Sequence, residues 1–167
     1  MPKKRRRKKE VFASEKPWLK FWPEGIPESI KYPEVPLFHF LEKTAEIYSD
    51  NTALIFFGRE ITYKELNTAA NRFANALHRL GIGKGDIVAL YMPNMPQFVI
   101  SYYGAMKAGA TVTAVSPLYK ERELEFQLNN SEAKVIILLD LLFPTFRKVW
   151  KKTKVKHAVV TRMKEYM

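Results

Sequence analysis

Short apolar segments alternate with helical segments through most of the chain, and few folds accommodate such a pattern. The predicted strands cover residues 87–92, 111–115, 135–139 and 157–161, and the predicted helices between them cover residues 96–107, 121–129 and 143–151. Strands joined through helices run parallel, and a parallel sheet needs helices on both faces to bury its apolar side chains. The pattern therefore predicts an α/β fold with a parallel sheet flanked by helices.

A small hairpin and a capped helix are predicted before this alternation begins. Residues 53–57 and 59–62 are typical of two strands, and the single glycine between them predicts a tight turn. Thr62 and Glu65 form a capping box, in which the hydroxyl and the carboxylate satisfy free amides at a helix start. The helix is predicted to end at Gly81, because glycine readily takes the left-handed conformation that closes a helix.

Most of the excess positive charge lies at the start of the chain. The formal net charge is +11, and leaving out seven basic residues reduces it to +4. These seven residues, interpreted as an anion-binding tail, are Lys3, Lys4, Arg5, Arg6, Arg7, Lys8 and Lys9. Three interpretations stay open: contacts with nucleic-acid phosphates, attraction to anionic lipid headgroups, or a solvated extension without a ligand. Nucleic acid is the less favoured partner, since no aromatic residue interrupts the basic run.

Three regions are predicted along the chain. Residues 1–10 are a disordered basic tail, and residues 11–36 are an arm rich in proline and aromatic residues. Prolines at this density forbid a continuous helix, so we expect an irregular arm whose aromatic side chains pack onto the body. Residues 37–167 are the third region, whose length fits one domain or one incomplete piece of a larger one.

The residues exclude several kinds of site. The absence of cysteine excludes disulfides and thiolate metal ligands, and His39, His78 and His157 lack the spacing of metal ligands. The glycines of residues 81–85 follow a helix and precede a strand, whereas a phosphate loop runs from a strand into a helix. Alternating glutamates in residues 121–125 predict a solvated helix face without an acid–base pair. No catalytic residue, cofactor site or metal site is predicted.

Several motifs occur in the order found in adenylate-forming enzymes. Residues 61–66 resemble the T-Y-x-E-L motif of that family, residues 85–90 resemble its G-D-x-V strand, and residues 104–110 resemble its G-x-x-K-A-G-A element. The likeness extends over residues 38–161 and makes the chain similar to the N-terminal portion of an AMP-forming acyl-CoA synthetase. The opening residues 21–37 look most like those of long-chain fatty-acid–CoA ligases.

The motif residues are interpreted as structural, because they start helices, shape turns or allow close packing. They are Thr62, Tyr63, Glu65, Leu66, Gly85, Asp86, Gly104, Lys107 and Gly109. We attribute Gly104 and Gly109 to close packing of a helix on a strand. The chain departs from the family at Ser116, where asparagine is usual, and a local difference in the turn is expected.

The resemblance implies a reaction in which ATP and a fatty acid give an acyl-adenylate, after which coenzyme A takes the acyl group. Family enzymes use magnesium, a Ser/Thr/Gly-rich phosphate loop ending in lysine, and a catalytic lysine on a later domain. The chain contains neither that loop nor that domain. We therefore expect no cofactor bound to this chain alone and no acyl-adenylate formed by it.

Two functions stay open, and the question whether the chain alone is an enzyme stays open with them. The first is an N-terminal fragment of a long-chain fatty-acid–CoA ligase, either split or truncated. Its expected partner is a separate polypeptide with the missing part or a second copy, because an incomplete sheet leaves an open edge and an uncovered apolar face. The alternative is a non-enzymatic α/β module that binds an anionic membrane or nucleic acid through its basic tail. No run reaches the ~20 apolar residues that cross a bilayer, so we expect a cytoplasmic protein, with peripheral membrane contact left open.

Overall fold

The computed structural model describes residues 16–167, which divide into two units. The first unit ends at Val35, and its described residues hold one short 3-10 helix, Pro17–Phe21, followed by irregular chain. None of its described side chains is buried. The packing of its aromatic side chains onto the body stays a prediction.

The second unit, Pro36–Met167, contains six strands and five α-helices. The strands are β1 (Thr52–Phe56), β2 (Arg59–Thr62), β3 (Ile87–Tyr91), β4 (Thr111–Val115), β5 (Val135–Leu139) and β6 (His157–Thr161). The helices are α1 (Leu37–Ile47), α2 (Tyr63–Arg79), α3 (Pro96–Lys107), α4 (Glu121–Asn130) and α5 (Phe143–Val149). Short 3-10 helices follow β5, α5 and β6 at Asp140–Leu142, Trp150–Lys152 and Met163–Tyr166. The bounds agree closely with the sequence predictions, except that the last predicted helix changes to 3-10 geometry after Val149.

Four strands form a parallel sheet in the order β4-β3-β5-β6. The first of these strands along the chain, β3, therefore lies inside the sheet, with β4 on one side and β5 on the other. Helices α3, α4 and α5 make the connections between successive strands. The predicted α/β fold with a parallel sheet flanked by helices is confirmed.

Helices cover both faces of this sheet, which explains why its inner strands are apolar throughout. On one face, α2 and α3 pack against side chains of β3 and β5 such as Leu90 and Ile137. On the other face, α4 and α5 pack against the alternate side chains, such as Tyr91 and Leu138. All residues of β5 are buried, as expected for a strand covered on both faces.

The strands β1 and β2 form an antiparallel hairpin that is separate from the parallel sheet. Phe57 and Gly58 make its turn, and both have positive φ (49° and 82°), as a two-residue type I′ turn requires. The inner side of the hairpin packs with α2 and α3 in a cluster that includes Ile61, Leu66 and Ile100. Positive φ is unfavourable for a bulky residue such as phenylalanine, so the turn holds backbone strain.

The last 3-10 helix, Met163–Tyr166, returns to this hairpin. The guanidinium group of Arg59 lies 5.3 Å from the centre of the Tyr166 ring. Its Nη1 atom also donates a hydrogen bond of 3.4 Å to the carbonyl oxygen of Glu165, which is 106 positions further along the chain. The end of the compact unit is therefore held against the hairpin.

Both outer strands of the parallel sheet pair on one side only within residues 16–167, because β4 and β6 each have a single neighbour. The expected open edges are therefore present. The expected uncovered apolar face is not on this sheet, since helices cover both of its faces. Exposed apolar side chains occur on several other elements, among them the hairpin, where Ile55 and Phe57 are 71% and 70% exposed, and the loop after β4, where Leu118 is 86% exposed.

Candidate functional site

The direction of the connections changes at the centre of the parallel sheet. After β3 the chain turns to α3 on one face, and after β5 it turns to α5 on the other face. The two loops diverge at the carboxyl ends of neighbouring strands, which is where open α/β sheets bind their ligands. We call this region, built by residues 91–97 and residues 140–142, the carboxyl-edge site.

Tyr91 anchors the carboxyl-edge site at the end of β3. Its side chain is fully buried, and its hydroxyl donates a hydrogen bond of 2.6 Å to the carbonyl oxygen of Tyr119. Burial raises the pKa of the Tyr91 hydroxyl above its ordinary value, and a hydrogen bond with Thr145 partly offsets this rise. The hydroxyl therefore stays protonated at neutral pH, and it ties the loop after β4 to the end of β3.

Gln97, in the first turn of α3, carries an acceptor without a partner. The residue is 6% exposed, and its Nε2 atom donates a hydrogen bond of 2.8 Å to the carbonyl oxygen of Arg162. Its Oε1 atom is buried and accepts no hydrogen bond within residues 16–167. Because an unsatisfied buried acceptor costs about 1–3 kcal/mol, this position suits a donor that the described residues do not supply.

Asp140 and Ser116 shape the loops that leave β5 and β4. The carboxylate of Asp140 accepts a hydrogen bond of 2.8 Å from the amide of Leu141, so it begins the short 3-10 helix after β5. The carbonyl oxygen of Ser116 accepts a hydrogen bond of 3.0 Å from the amide of Tyr119. The loop after β4 is thus a tight turn at the position where the sequence departs from the family pattern.

The carboxyl-edge site by itself does not fit a nucleoside triphosphate. Phosphate groups bind where several backbone amides or cationic side chains converge. The polar atoms that the structure places here include two acceptors, the Oε1 atom of Gln97 and the carboxylate of Asp140. The described residues therefore do not form a complete phosphate cradle at this edge.

The three histidines lie in separate elements, His39 in α1, His78 in α2 and His157 at the start of β6. Among residues 16–167, no group of three or more His, Cys, Asp or Glu side chains is placed to hold a metal ion. Over the same range, no helix combines the length and the apolar character that crossing a lipid bilayer requires.

The motif residues at the start of α2 form the capping box that the sequence predicts. The hydroxyl of Thr62 accepts a hydrogen bond of 3.2 Å from the amide of Glu65, and the Glu65 carboxylate accepts one of 2.8 Å from the amide of Thr62. These contacts with Thr62 lower the pKa of the Glu65 carboxyl group. Tyr63 begins the helix, and Leu66 is buried in the hairpin cluster. The capping box is confirmed.

Asp86 aligns the amino ends of two neighbouring strands. Its carboxylate accepts hydrogen bonds from the ammonium group of Lys134 and, at 2.9 Å, from the amide of Gly83. The contact with Lys134, followed by the bond from Gly83, lowers the pKa of the Asp86 carboxyl group. Gly85 makes the preceding turn with a φ of 87°. Since Asp86 precedes β3 and Lys134 precedes β5, this pair lies at the end of the sheet opposite to the carboxyl-edge site.

The lowered pKa of Asp86 predicts a loss of stability in acid. A carboxyl group whose pKa is lower in the folded state contributes stability above its unfolded pKa, and this contribution is lost as the pH falls through the folded value. We expect the free energy of unfolding to fall less steeply with decreasing pH in Asp86→Asn than in the unchanged chain. Urea unfolding between about pH 5 and pH 2 measures this difference. Lys134→Met should flatten the dependence in the same way, and an unchanged slope in both variants would contradict the assignment.

Gly104 lies against a helix and not against a strand, which corrects the sequence interpretation. A Cβ atom added at Gly104 would lie 2.7 Å from Cδ1 of Phe73 and 2.9 Å from the carbonyl oxygen of Ala70, both in α2. The sequence interpretation of Gly109 is also corrected. Its φ of 81° places it in the left-handed region just after α3, where glycine commonly ends a helix.

Lys107 connects α3 with α1. Its Nζ atom donates a hydrogen bond of 2.5 Å to the carboxylate of Glu42 and lies 5.7 Å from the centre of the Phe38 ring. The Lys107 side chain is almost fully buried, so these contacts compensate a charge that is removed from water. Its contacts within residues 16–167 therefore lie with α1 and not with the carboxyl-edge site.

The structure therefore distributes the motif residues over helix ends, turns and packing contacts, and it does not assemble them into one site. Sequence reasoning missed Tyr91, Gln97 and Asp140 as site residues. These residues lie at the carboxyl ends of two neighbouring strands. Their position identifies them as site residues only when the strand order is known. The anion-binding tail, residues 3–9, lies outside the described residues, and its ligand stays a prediction.

Comparisons with known proteins agree with the motif resemblance. The profile of the AMP-binding enzyme family matches residues 41–166. A long-chain-fatty-acid–CoA ligase of Bacillus subtilis (strain 168) is 42% identical over 154 residues, which are 92% of this chain and 28% of that ligase. The crystal structure of a long-chain-fatty-acid–CoA ligase (FadD1) from Archaeoglobus fulgidus superimposes with a TM-score of 0.78 at 30% identity, covering 84% of this chain and 30% of that one.

A ligase with a different substrate has the same fold over this region. The anthranilate–CoA ligase AuaEII in complex with anthranoyl-AMP superimposes with a TM-score of 0.74 at 28% identity, covering 79% of this chain and 27% of that one. This chain thus spans less than a third of each of the relatives described here. The resemblance to the N-terminal portion of acyl-CoA synthetases is confirmed, and the chain belongs to the AMP-binding enzyme family.

Proposed function

We propose that this chain contributes the N-terminal part of a long-chain-fatty-acid–CoA ligase. The observation that carries the proposal is the 42% identity, over 92% of the chain, with a protein of that activity. The fold supports it, since the parallel sheet has a switch point at its carboxyl edge, where α/β enzymes place their ligands. The proposal therefore concerns one wall of an active site and not a complete one.

The proposed reaction of the complete enzyme has two steps. A carboxylate oxygen of the fatty acid attacks the α-phosphorus of ATP, pyrophosphate leaves, and an acyl-adenylate forms. The sulfur of coenzyme A then attacks the acyl carbonyl carbon, AMP leaves, and a thioester forms. ATP, magnesium and coenzyme A belong to this proposal for the complete enzyme, because the described residues do not form a phosphate cradle.

This chain contributes to the active site by holding the loops that form one of its walls. Tyr91 holds the loop after β4 through its bond to Tyr119, and Gln97 holds the segment after β6 through its bond to Arg162. The free Oε1 atom of Gln97 is available to a donor on a ligand or on another part of the enzyme. These residues fix one wall of the site, and residues 16–167 do not supply the set of donors that would hold the phosphates.

We expect the 167-residue chain alone to catalyse no exchange of pyrophosphate into ATP with palmitate, because it lacks the phosphate cradle that adenylate formation requires. Exchange of labelled pyrophosphate, measured against a blank without protein, tests this directly. Exchange above the blank that depends on palmitate would contradict the predicted inactivity.

A chimera tests the ligase assignment itself. In this protein, residues 16–167 replace the matching region of the Bacillus subtilis ligase, which shares 42% identity with the chain. We expect the chimera to catalyse palmitate-dependent exchange, with the unchanged Bacillus subtilis ligase as the control. A chimera that folds, as judged by circular dichroism and thermal unfolding, but catalyses no exchange would overturn the proposed function.

A further inference from the structure

Three lysines line one pocket at the amino ends of the parallel strands. The pocket, which we call the amino-edge pocket, has a volume of about 420 Å³ and lies between the segments that lead into β3, β5 and β6. A Cβ atom added at Gly85 would meet no heavy atom within 4 Å, so the space beside this backbone is open. The pocket therefore has room for a small ligand next to cationic side chains. Its lining residues are Gly85, Ile87, Glu132, Lys134, Lys154 and Lys156.

Main-chain hydrogen bonds hold these segments side by side. The amide of Lys134 donates a hydrogen bond of 2.9 Å to the carbonyl oxygen of Ile87, and the amide of Lys156 donates one of 2.8 Å to the carbonyl oxygen of Lys134. Val155 is buried, whereas Lys154 and Lys156 on either side of it are exposed. The end of the sheet therefore fixes the backbone positions of all three lysines.

The lysines carry more positive charge than the neighbouring carboxylates neutralise. Lys134 pairs with Asp86 and Lys154 pairs with Glu132, whereas Lys156 forms no ion pair with a carboxylate among residues 16–167. After the hydrogen bond from Lys134, the charge of Lys156 also contributes to the lowered pKa of the Asp86 carboxyl group, so it lies near this pair. Because an ammonium group has three N–H donors, each lysine keeps donors that no described carboxylate uses.

Structural roles account for only part of this cluster. Basic residues in the last turn of a helix offset the helix dipole, but these three lysines lie in the segments before β5 and β6. Alignment of β3 with β5 requires Lys134 alone, and like charges placed close together repel one another. An anion shared by the three ammonium groups removes this repulsion. Phosphate suits the pocket because its oxygens accept several charge-assisted hydrogen bonds at once.

We propose that the amino-edge pocket binds a phosphate group through the ammonium groups of Lys134, Lys154 and Lys156. Such a group has two sources, a free phosphate anion and the phosphomonoester headgroup of a lipid such as phosphatidic acid, and both present the same terminal oxygens. The inference does not depend on the proposed function, because the pocket lies at the opposite end of the sheet from the carboxyl-edge site. An active or an inactive chimera leaves it unchanged.

The test uses the full 167-residue chain, isotope-labelled for NMR spectroscopy, and two probes. Inorganic phosphate represents the free anion, and phosphatidylcholine vesicles that contain phosphatidic acid represent the lipid source. Sodium chloride at equal ionic strength and vesicles of phosphatidylcholine alone are the blanks, since salt by itself screens exposed charges. We expect saturable changes in the amide signals of residues 85, 134 and 156 with at least one probe and with neither blank.

Substitutions at the pocket separate binding from a general effect of charge. Lys156→Met should weaken binding about fivefold, because a charge-assisted contact is lost, and Lys156→Arg should keep most of it. The matched control is Lys120→Met, which removes the same charge from an exposed residue before α4, at the other end of the sheet. It should change the affinity by less than about twofold. Thermal unfolding of each variant shows that the chain stays folded.

Glu132→Gln is the sharper variant, because we expect it to improve binding. The Glu132 carboxylate accepts a hydrogen bond from the ammonium group of Lys154 and competes with a bound anion for it. Removing this negative charge should strengthen phosphate binding about threefold. A cluster with a purely structural role would show no such gain.

The two probes distinguish the sources of the phosphate group. Binding of inorganic phosphate that Lys156→Met weakens assigns the pocket to a free anion, and binding of the phosphatidic acid vesicles alone assigns it to a lipid headgroup. Three results would overturn the inference. The first is no saturable change at residues 85, 134 and 156 with either probe. The second is equal weakening by Lys156→Met and Lys120→Met. The third is binding that deletion of residues 2–9 abolishes and Lys156→Met leaves unchanged, since the basic tail would then be the site.

Discussion

Phe146→Ala is expected to lower the free energy of unfolding of the compact unit by about 3–5 kcal/mol. Phe146 is fully buried in the cluster that joins the sheet to α4 and α5, and its ring centre lies 5.1 Å from that of Trp150. Truncation removes the contacts of the ring and leaves a cavity that the close-packed neighbours fill only in part. Urea unfolding followed by far-ultraviolet circular dichroism measures the loss.

The control for this prediction is the same substitution at an exposed site. Phe126 lies on α4, next to the same core, but most of its side chain is in solvent. Phe126→Ala should therefore change the free energy of unfolding by no more than about 0.5 kcal/mol. Equal losses in the two variants would show that Phe146 is not packed as the structure describes.

Gly104→Ala is expected to destabilise the unit by about 1–3 kcal/mol, although it adds a single methyl group. The new Cβ atom would lie 2.9 Å from the carbonyl oxygen of Ala70 and 2.7 Å from the Phe73 ring. The Phe73 ring can rotate away, but the oxygen belongs to the backbone of α2. Relief of the contact therefore requires α2 and α3 to separate. The measurement is again urea unfolding.

Gly83→Ala is the matched control for this substitution. A Cβ atom at Gly83 would meet its nearest neighbour, the carbonyl oxygen of Ala108, at 3.7 Å, an ordinary contact distance. The φ of Gly83 is not among the positive values. Alanine there should leave stability unchanged or raise it by up to about 1 kcal/mol, because it restricts the unfolded chain. Destabilisation of both variants to the same extent would mean that the loss at Gly104 is not due to the approach of α2.

Local features of the fold could be predicted from the sequence because their causes lie within a few residues. The capping box depends on Thr62 and Glu65 alone, and the end of α2 depends on the left-handed conformation of Gly81. The alternation of short apolar segments with helical segments indicated a parallel sheet covered on both faces, and the complete burial of β5 agrees with it. In each case a periodic or short-range pattern was sufficient.

The candidate site could not be predicted in this way, because it depends on the order of the strands. A parallel sheet places the carboxyl ends of all its strands at one edge, but connections of similar length can place β5 beside β3 or further away, so the sequence does not reveal that these two strands are neighbours with diverging loops. Only that order identifies Tyr91, Gln97 and Asp140 as residues of one candidate site. The error at Gly104 has the same origin, since the sequence indicates that a close neighbour is needed but not that the neighbour is α2.

The contact between Arg59 and the last 3-10 helix has a consequence for synthesis on the ribosome. Glu165, whose carbonyl oxygen Arg59 contacts, follows it by 106 positions. At a synthesis rate of about 5–20 residues per second, the hairpin waits roughly 5–20 s for this contact after it has been made. β3 also emerges before the strand that covers its second edge, because β4 and α4 are translated between β3 and β5. The first strands to be translated are therefore among the last to gain their full set of contacts.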